Sequence, residues 1–480
     1  MRGLLLLLIT NGARGQAAVW ARGQRQLNRS HFEGAHATYA EQRARIQEAV
    51  GNYSFYVYGG GAFDAITTAL PQQRRHYKIA EELVEVWVHR ALLNDKRRTT
   101  DPDAASLFFV PAYLSLSKSS DGQGHDARLE NLIEALRSSK WFQRFRGADH
   151  VFGYSSINPG VARQLLFPKL HAGLEQSYFG VFEMNPAWVG GDRKEETLQR
   201  MVPAPYVVDA SRLAGTATQV HNHEISVFFA AHRRPNAAQW SGCDRSKALG
   251  LQSVPRSSIH IKQHRRRLLD EDAFAHSMRV ADFCLVMCGD TPTSRRIFDA
   301  IVADCIPLIV GTRLWGRCEA PCHEGWGWFV SGREHPHLPF RDTYIDYTRF
   351  PRVDEKLLYE DATKAYEAAV RDVTEAEERD MWRYLNSIRD DVVYCVEIST
   401  PSTRRLLAGR PRHRRRTQWL ISTQVVYGYG SPFSSQKFGR AAANLMDGVM
   451  LRRLHQGLVP PSLGPEDHSP LEGYAKVSPS

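Results

Sequence analysis

Apolar residues in this chain fall into two kinds of run, and the two kinds alternate. Short blocks bounded by Gly, Pro or Asp read as buried strands: Ser54 to Tyr58, Leu107 to Pro111, Val151 to Tyr154, Val202 to Val208, Ile225 to Ala230, Phe283 to Met287 and Ile306 to Val310. Between them apolar positions recur at helical spacing. Ile79, Leu83, Val86, Trp87 and Ala91 do so within Tyr77 to Leu93, and Leu129 to Phe145 and Arg163 to Leu174 behave likewise. Strands alternating with amphipathic helices predict parallel sheets covered by helices. Leu357 to Asn386 is acidic, helix-prone and amphipathic and is expected to pack across the domains. Trp240 to Arg267 is polar, basic and turn-rich and reads as a variable loop. Gly59-Gly60-Gly61 reads as a structural turn rather than a phosphate cradle, since the later glycine and distal acid of a dinucleotide fingerprint are missing.

One unit stands out, FCLVMCGDTPTSRRIFDAIVADCIPLIV from Phe283 to Val310. It reads as strand, turn, helix, strand. Gly289, Asp290, Thr291 and Pro292 make the turn, and Thr293 or Ser294 is the expected N-cap. Ile297, Phe298, Ile301 and Val302 mark the buried helix face. In a parallel sheet this arrangement sets a helix start beside the carboxyl ends of the strands, where backbone N–H groups and the dipole favour an anion. Arg296 lies in that first turn, where a cation is unfavourable unless something negative is bound. Asp299 follows three residues later. An arginine for a diphosphate and a carboxylate for a ribose or sugar hydroxyl would form a nucleotide-sugar site. From spacing alone an i, i+3 surface ion pair fits equally well.

The same string resembles the signature of the exostosin family of glycosyltransferases, in which a Gly-Asp-Thr-Pro turn precedes Arg, Phe, Asp-Ala and then Cys-Ile-Pro. Further landmarks follow in the family's order. Tyr56-Val57-Tyr58 resembles its first strand. Arg98-Thr99-Thr100-Asp101-Pro102 with Ala105 and Leu107-Phe108-Phe109-Val110-Pro111 resembles its second. Gly147, Asp149-His150-Val151-Phe152, Leu338-Pro339-Phe340 and Ile345-Asp346-Tyr347 resemble later segments. The resemblance implies an α/β protein of two Rossmann-like domains facing a cleft (GT-B type). Residues 1–50 would be leader and stalk, 51–215 the acceptor domain, 216–400 the nucleotide-sugar domain, and 401–480 a basic segment, a C-terminal helix and a disordered tail.

The implied activity is inverting transfer of a hexosyl or pentosyl group from a nucleotide sugar, a UDP-sugar foremost, to a glycan or glycoprotein acceptor. No further cofactor and no metal are expected. Gly289, Asp290, Thr293, Ser294, Arg295, Arg296 and Asp299 are the expected donor contacts. Asp149 and His150 are the candidates for the base, with a buried hydrogen-bonded pair as their alternative. Two departures from the family pattern stand out. Tyr154-Ser155-Ser156-Ile157-Asn158-Pro159-Gly160 replaces a His-Asp-Trp-Gly segment, and Ala230-Ala231 stands where a Gly commonly follows. They keep open an inactive exostosin-fold glycan-binding or partner protein.

Composition adds constraints. The chain has 480 residues, 42% hydrophobic and 24% charged, ordinary for globular domains. Its net charge of +10 favours anionic partners. Seven arginines between Arg404 and Arg416 supply much of it, but with neither interleaved aromatics nor a nucleic-acid module, nucleic acid is not an expected partner. Arg2 and the apolar Leu4 to Ile9 read as a secretory signal too short to span a membrane. With the family's habit this predicts the Golgi, membrane-associated or lumenal, and allows an oligomer with related transferases. Of seven cysteines, Cys318 and Cys322 are placed to close a small loop, while Cys284 and Cys305 in apolar surroundings read as buried thiols.

Overall fold

The computed structural model describes residues 44, 47–48, 50–64, 66–67, 84–120, 122–154, 174, 176–181, 200–208, 210–213, 224–233, 244–263, 269–287, 294–310, 349–393, 395–397, 436–438 and 440–455. Among them two parallel sheets carry most of the core. The first is built from β1 (Phe55–Val57), β2 (Arg98–Thr99), β3 (Leu107–Val110), β4 (His150–Tyr154), β5 (Tyr178–Val181) and β6 (Met201–Pro203), in the order β2-β1-β3-β4-β5-β6. The second contains β7 (Ile225–Arg233), β8 (Ser258–Gln263), β9 (Ala281–Val286), β10 (Ile306–Val310) and β11 (Arg352–Val353), in the order β11-β10-β9-β7-β8. All pairings in both sheets are parallel. Each sheet therefore runs outward in both directions from its first strand. The chain order reverses between β1 and β3 in one sheet and between β7 and β9 in the other. Open α/β sheets bind ligands at such reversals, beyond the strands' carboxyl ends.

The strands form where the apolar blocks predict them. β3, β4, β9 and β10 are buried at every position, as central parallel strands covered on both faces must be. Helices α1 (Val84–Leu93), α2 (Leu114–Ser120), α3 (Gly122–Arg137) and α4 (Lys140–Phe145) belong to the first sheet. The single helix expected over Leu129 to Phe145 is two. The ladder breaks at a serine pair, where Ser138 Oγ donates back to the Glu134 carbonyl and Ser139 takes an extended conformation. A second correction concerns β8, which lies inside the segment expected to be a loop. It is an edge strand paired only with β7, so its polar residues at 258, 260 and 262 are tolerated at the sheet margin. The helix expected at 163–174 and the basic run 404–416 lie outside the described residues, apart from Leu174.

A short helix, α5 (Ala210–Leu213), follows the first sheet, α6 (Glu271–Arg279) leads into β9, and α7 (Arg296–Val302) joins β9 to β10. The long acidic stretch after β11 is helical, in three pieces: α8 (Glu355–Glu360), α9 (Ala362–Val370) and α10 (Glu375–Ile388). Asp354 and Asp361 cap the first two, and Thr374 caps the third in a reciprocal box with Glu377. These caps end one helix and begin the next inside a pattern that reads as continuous.

The C-terminal helix α11 (Ala441–His455) packs against α1 and β6. Its Leu445 fills the space over Gly180 of β5, and a Cβ there would come within 2.8 Å of it. Three of its polar side chains, Asn444, Asp447 and Arg453, are buried and hydrogen-bonded. Asp447 accepts from Tyr53 at 2.6 Å and from Arg97 at 2.5 Å, and Arg453 donates to the Ser106 carbonyl at 2.6 Å. At its start, Asn444 and Arg440 both donate to Asp391, which precedes the small antiparallel pair β12 (Cys395–Glu397) and β13 (Gln436–Phe438). Both sheets and α11 belong to one compact unit, Ile46–Ser480.

Cys284 and Cys305, expected as separate thiols, are buried but joined in a disulfide, with Cα atoms 5.7 Å apart. Pairing of β9 with β10 brings the two together from 21 residues apart. That proximity is a property of register, not of spacing. Cys318 and Cys322 lie outside the described residues.

Candidate functional site

β9 ends at Val286 beside the reversal between β7 and β9, and the described chain resumes at Ser294 to enter α7. Gly289, Asp290 and Thr293 lie outside the described residues. The helix begins slightly later than the sequence suggests. Arg295 occupies the cap position without a side-chain cap bond, and Ser294 Oγ accepts only a long 3.3 Å bond from the Arg296 N–H. From Ile297 to Val302 every residue of α7 is buried. The helix is seven residues long, so positive charge for a ligand here comes chiefly from side chains rather than from a macrodipole.

Those side chains converge on one buried carboxylate. Arg296 Nη1 donates to Asp299 Oδ2 at 2.7 Å, and Arg295 Nε donates to the same oxygen at 3.4 Å. The Asp299 side chain is 3% exposed, whereas those of Arg296 and Arg295 are 28% and 31% exposed. The arrangement is thus an i, i+3 pair, but not one between two solvated groups. The acid is buried and the two arginine side chains that bond to it are partly exposed. On the other side, the Arg296 guanidinium carbon lies 4.4 Å from the ring centroid of Phe274 in α6, and Phe274 itself meets Phe228 of β7 edge to face at 5.6 Å. Spacing in the sequence brings Arg295, Arg296 and Asp299 together. It does not bring Phe274, which lies in another helix and looks in sequence like any core aromatic.

Asp149 and His150 are assembled elsewhere. The expectation places them beyond a strand end near the cleft. They instead stand at the amino end of β4, opposite the carboxyl ends where a ligand would sit. Both are fully buried. His150 Nδ1 bonds to Asp149 Oδ1 at 2.7 Å, Arg144 Nε donates to Asp149 Oδ2 at 3.0 Å, and the Tyr58 hydroxyl meets His150 Nε2 at 2.9 Å. The imidazole stacks on Phe108 with centroids 4.8 Å apart. Burial holds the His150 pKa below its ordinary value despite the neighbouring carboxylate. A neutral ring fits the network, with Nδ1–H donating to Asp149 and Nε2 accepting from Tyr58. Burial pushes the Asp149 carboxyl up, but the His150 bond and the charges of Arg453 and Arg144 outweigh it and the net shift is downward. This is the buried hydrogen-bonded pair, with both side chains 0% exposed. The altered segment after Tyr154 lies outside the described residues.

The carboxyl end of the first sheet holds a different polar group. Glu85 of α1, buried against Gly153, accepts from the Ser115 N–H at 3.0 Å. His89 bonds to the Tyr113 hydroxyl at 2.8 Å, and burial pulls its pKa down to about 4. Tyr113 has a positive φ of 44° just after β3, and Gly60 and Gly61 have φ of 80° and 53° just after β1, which supports the turn reading. Among the described residues no group of three or more His, Cys, Asp or Glu is placed to hold a metal ion, and no helix is long and apolar enough to cross a membrane.

The family model described as Exostosin GT47 domain matches residues 51–363. The chain is 26% identical over 263 residues to Probable arabinosyltransferase ARAD1 of Arabidopsis thaliana, covering 53% of this chain and 50% of that protein. It is 27% identical over 252 residues to a probable glucuronoxylan glucuronosyltransferase of the same plant, covering 47% and 50%. With Probable beta-1,4-xylosyltransferase IRX10, also of Arabidopsis thaliana, it shares 23% over 278 residues, covering 53% and 63%. The chain spans about half the length of the first curated relatives it matches. A solved structure, the crystal structure of the GtfA/B complex, aligns with 56% of this chain and 61% of its own at 11% identity and a TM-score of 0.22, too loose to add to the fold read from the sheets.

Proposed function

This chain belongs to the exostosin GT47 family, and on that premise we propose that it is an inverting glycosyltransferase moving a sugar from a nucleotide-sugar donor, a UDP-sugar foremost, to a glycan or glycoprotein acceptor. The observation that carries the reading is the partly exposed Arg295–Arg296 pair bonded to buried Asp299 at the reversal between β7 and β9. In the reaction an acceptor hydroxyl attacks C1 of the sugar, the bond from C1 to the diphosphate oxygen breaks, and the hydroxyl proton passes to a base. Arg296 faces the charge that grows on the departing diphosphate. Residues 216–400 would hold the donor and 51–215 the acceptor. A glucuronoxylan-type polysaccharide is the acceptor class that one relative's printed activity favours.

The Golgi lumen or membrane, with the secretory entry that Leu4 to Ile9 suggest, is the compartment we propose. The Cys284–Cys305 disulfide supports it, because such bonds persist in oxidising compartments. Partnership with related transferases belongs to the same proposal. A second reading, a non-catalytic glycan-binding or partner protein on this fold, is favoured by the burial of Asp149 and His150, which leaves that pair without access to an acceptor. Incubating the purified chain with a panel of nucleotide sugars and oligosaccharide acceptors, xylan-type ones included, separates the two. Acceptor-dependent nucleotide release is the expected result, and its absence across the panel, with nucleotide binding intact, selects the second reading.

A further inference from the structure

We infer that Phe274 is a positioning residue of the donor site, forming with Asp299 a socket that fixes the plane of the Arg296 guanidinium toward a nucleoside diphosphate. The inference rests on the proposed donor reading and names a residue outside the signature string. An arginine side chain has several rotatable bonds and loses considerable rotamer freedom when held. Here it is held from two sides. Asp299 accepts from Nη1 at 2.7 Å, and the Phe274 ring lies 4.4 Å from the guanidinium carbon, well inside cation–π range. The ring is in turn fixed edge to face against Phe228 of β7, at 5.6 Å. Phe228 is buried, so the platform rests on the sheet itself.

The chemistry follows from the placement. A guanidinium between a carboxylate and an aromatic face keeps its charge and is oriented before any ligand arrives, which lowers the ordering cost of a planar, bidentate contact to phosphate oxygens. A diphosphate is the fitting ligand because the site lies at the reversal of chain order between β7 and β9, and Arg295, bonded to the same Asp299 oxygen at 3.4 Å, places a second guanidinium beside the first. Phe274 touches no phosphate in this scheme. It acts through Arg296 alone.

The test is titration of the whole chain with UDP and GDP by calorimetry, comparing wild type, Phe274→Leu, Phe274→Tyr, Arg296→Ala and the double variant Phe274→Leu/Arg296→Ala. Arg296→Ala is expected to weaken binding of the preferred nucleotide roughly ten- to a hundredfold. Phe274→Leu, which removes the π face while keeping an apolar side chain, should weaken it about three- to tenfold. Phe274→Tyr should restore near wild-type affinity. In the Arg296→Ala background the Leu substitution should have no further effect. Equal weakening by Phe274→Leu with and without Arg296, or no rescue by Tyr, would assign the ring to packing of α6 and overturn the inference. Wild-type affinity in Phe274→Leu alongside a weakened Arg296→Ala would overturn it too while leaving the donor site standing. Unchanged affinity in Arg296→Ala would remove the donor site and this inference together. Circular dichroism and melting temperatures establish that each variant is folded.

Discussion

Replacing Asp447 by alanine should loosen the C-terminal helix from the first sheet. The carboxylate is 2% exposed and accepts from the Tyr53 hydroxyl at 2.6 Å, from Arg97 Nη1 at 2.5 Å and from Gln47 Nε2 at 3.2 Å. Breaking a buried ion pair by removing one partner costs about 3–5 kcal/mol, because the remaining charge stays buried and uncompensated. Two features moderate that here. Arg97 keeps Asp95 at 3.0 Å, and its side chain is 19% exposed, so water can recover part of the loss. The lower end, about 3 kcal/mol, is the expected destabilisation. Tyr53, whose hydroxyl is held far above its ordinary pKa by burial and by Asp447, would lose its acceptor at the same time. Equilibrium urea unfolding of wild type, Asp447→Ala, Arg97→Ala and the double variant measures both the loss and the coupling. A coupling of about 0.5–3 kcal/mol between the two positions is expected. An Asp447→Ala protein within about 0.5 kcal/mol of wild type, or additive losses in the double variant, would refute the reasoning and show that α11 is held by its apolar contacts alone.

The remaining predictions concern packing, pH and the disulfide. Gly180→Ala should cost about 1–3 kcal/mol by overpacking, since its new Cβ would lie 2.8 and 2.9 Å from the methyls of fully buried Leu445. In a Leu445→Ala background the same substitution should cost less than it does in wild type, and full additivity in thermal melts would argue against the clash. His89 has its pKa lowered to about 4 by burial, so the unfolded chain binds its proton first as pH falls. Its stabilising contribution is full above about pH 6.5 and is lost progressively toward pH 4, with about 2 kcal/mol gone at pH 5. Urea midpoints at pH 7.5 and 5 should therefore differ less in His89→Gln than in wild type, and equal differences would contradict the assignment. His150, also depressed by burial, adds a slope of the same sign to both proteins. Replacing Cys284 and Cys305 together by Ser should lower stability by about 2–5 kcal/mol. Thiol labelling of the unfolded wild-type chain that finds both cysteines free would show that the bond does not form.

Much of the architecture is legible in the chain because it depends on local pattern. β9, α7 and β10 follow directly from the apolar runs at Phe283 to Met287 and Ile306 to Val310 and from the helical spacing of Ile297, Phe298, Ile301 and Val302. Parallel strands are buried on both faces, and their sequences say so. Arg296 and Asp299 are likewise joined by spacing, since residues three apart on a helix are neighbours whatever surrounds them. What spacing leaves open is depth. Whether their pair is a solvated bridge or a guanidinium anchored on a buried acid is decided by what covers α7, and here Asp299 is covered.

The rest depends on contacts between elements distant in the chain. β8 reads as loop because an edge strand needs only one apolar face, and its neighbours at 264–267 are basic. Cys284 meets Cys305 only once β9 and β10 are in register. Asp149 and His150 lie next to a strand in sequence, but which end of that strand faces a ligand depends on strand direction within the sheet, and they fall at the amino end, inside the core. Phe274 reaches Arg296 from a different helix, because both flank the reversal between β7 and β9. The order of residues specifies the fold class and names the charged residues of the candidate donor site, since periodicity and short-range spacing are properties of the chain. Burial, strand direction and contacts between distant elements set which of those residues can meet a ligand, and these exist only after the sheets have assembled.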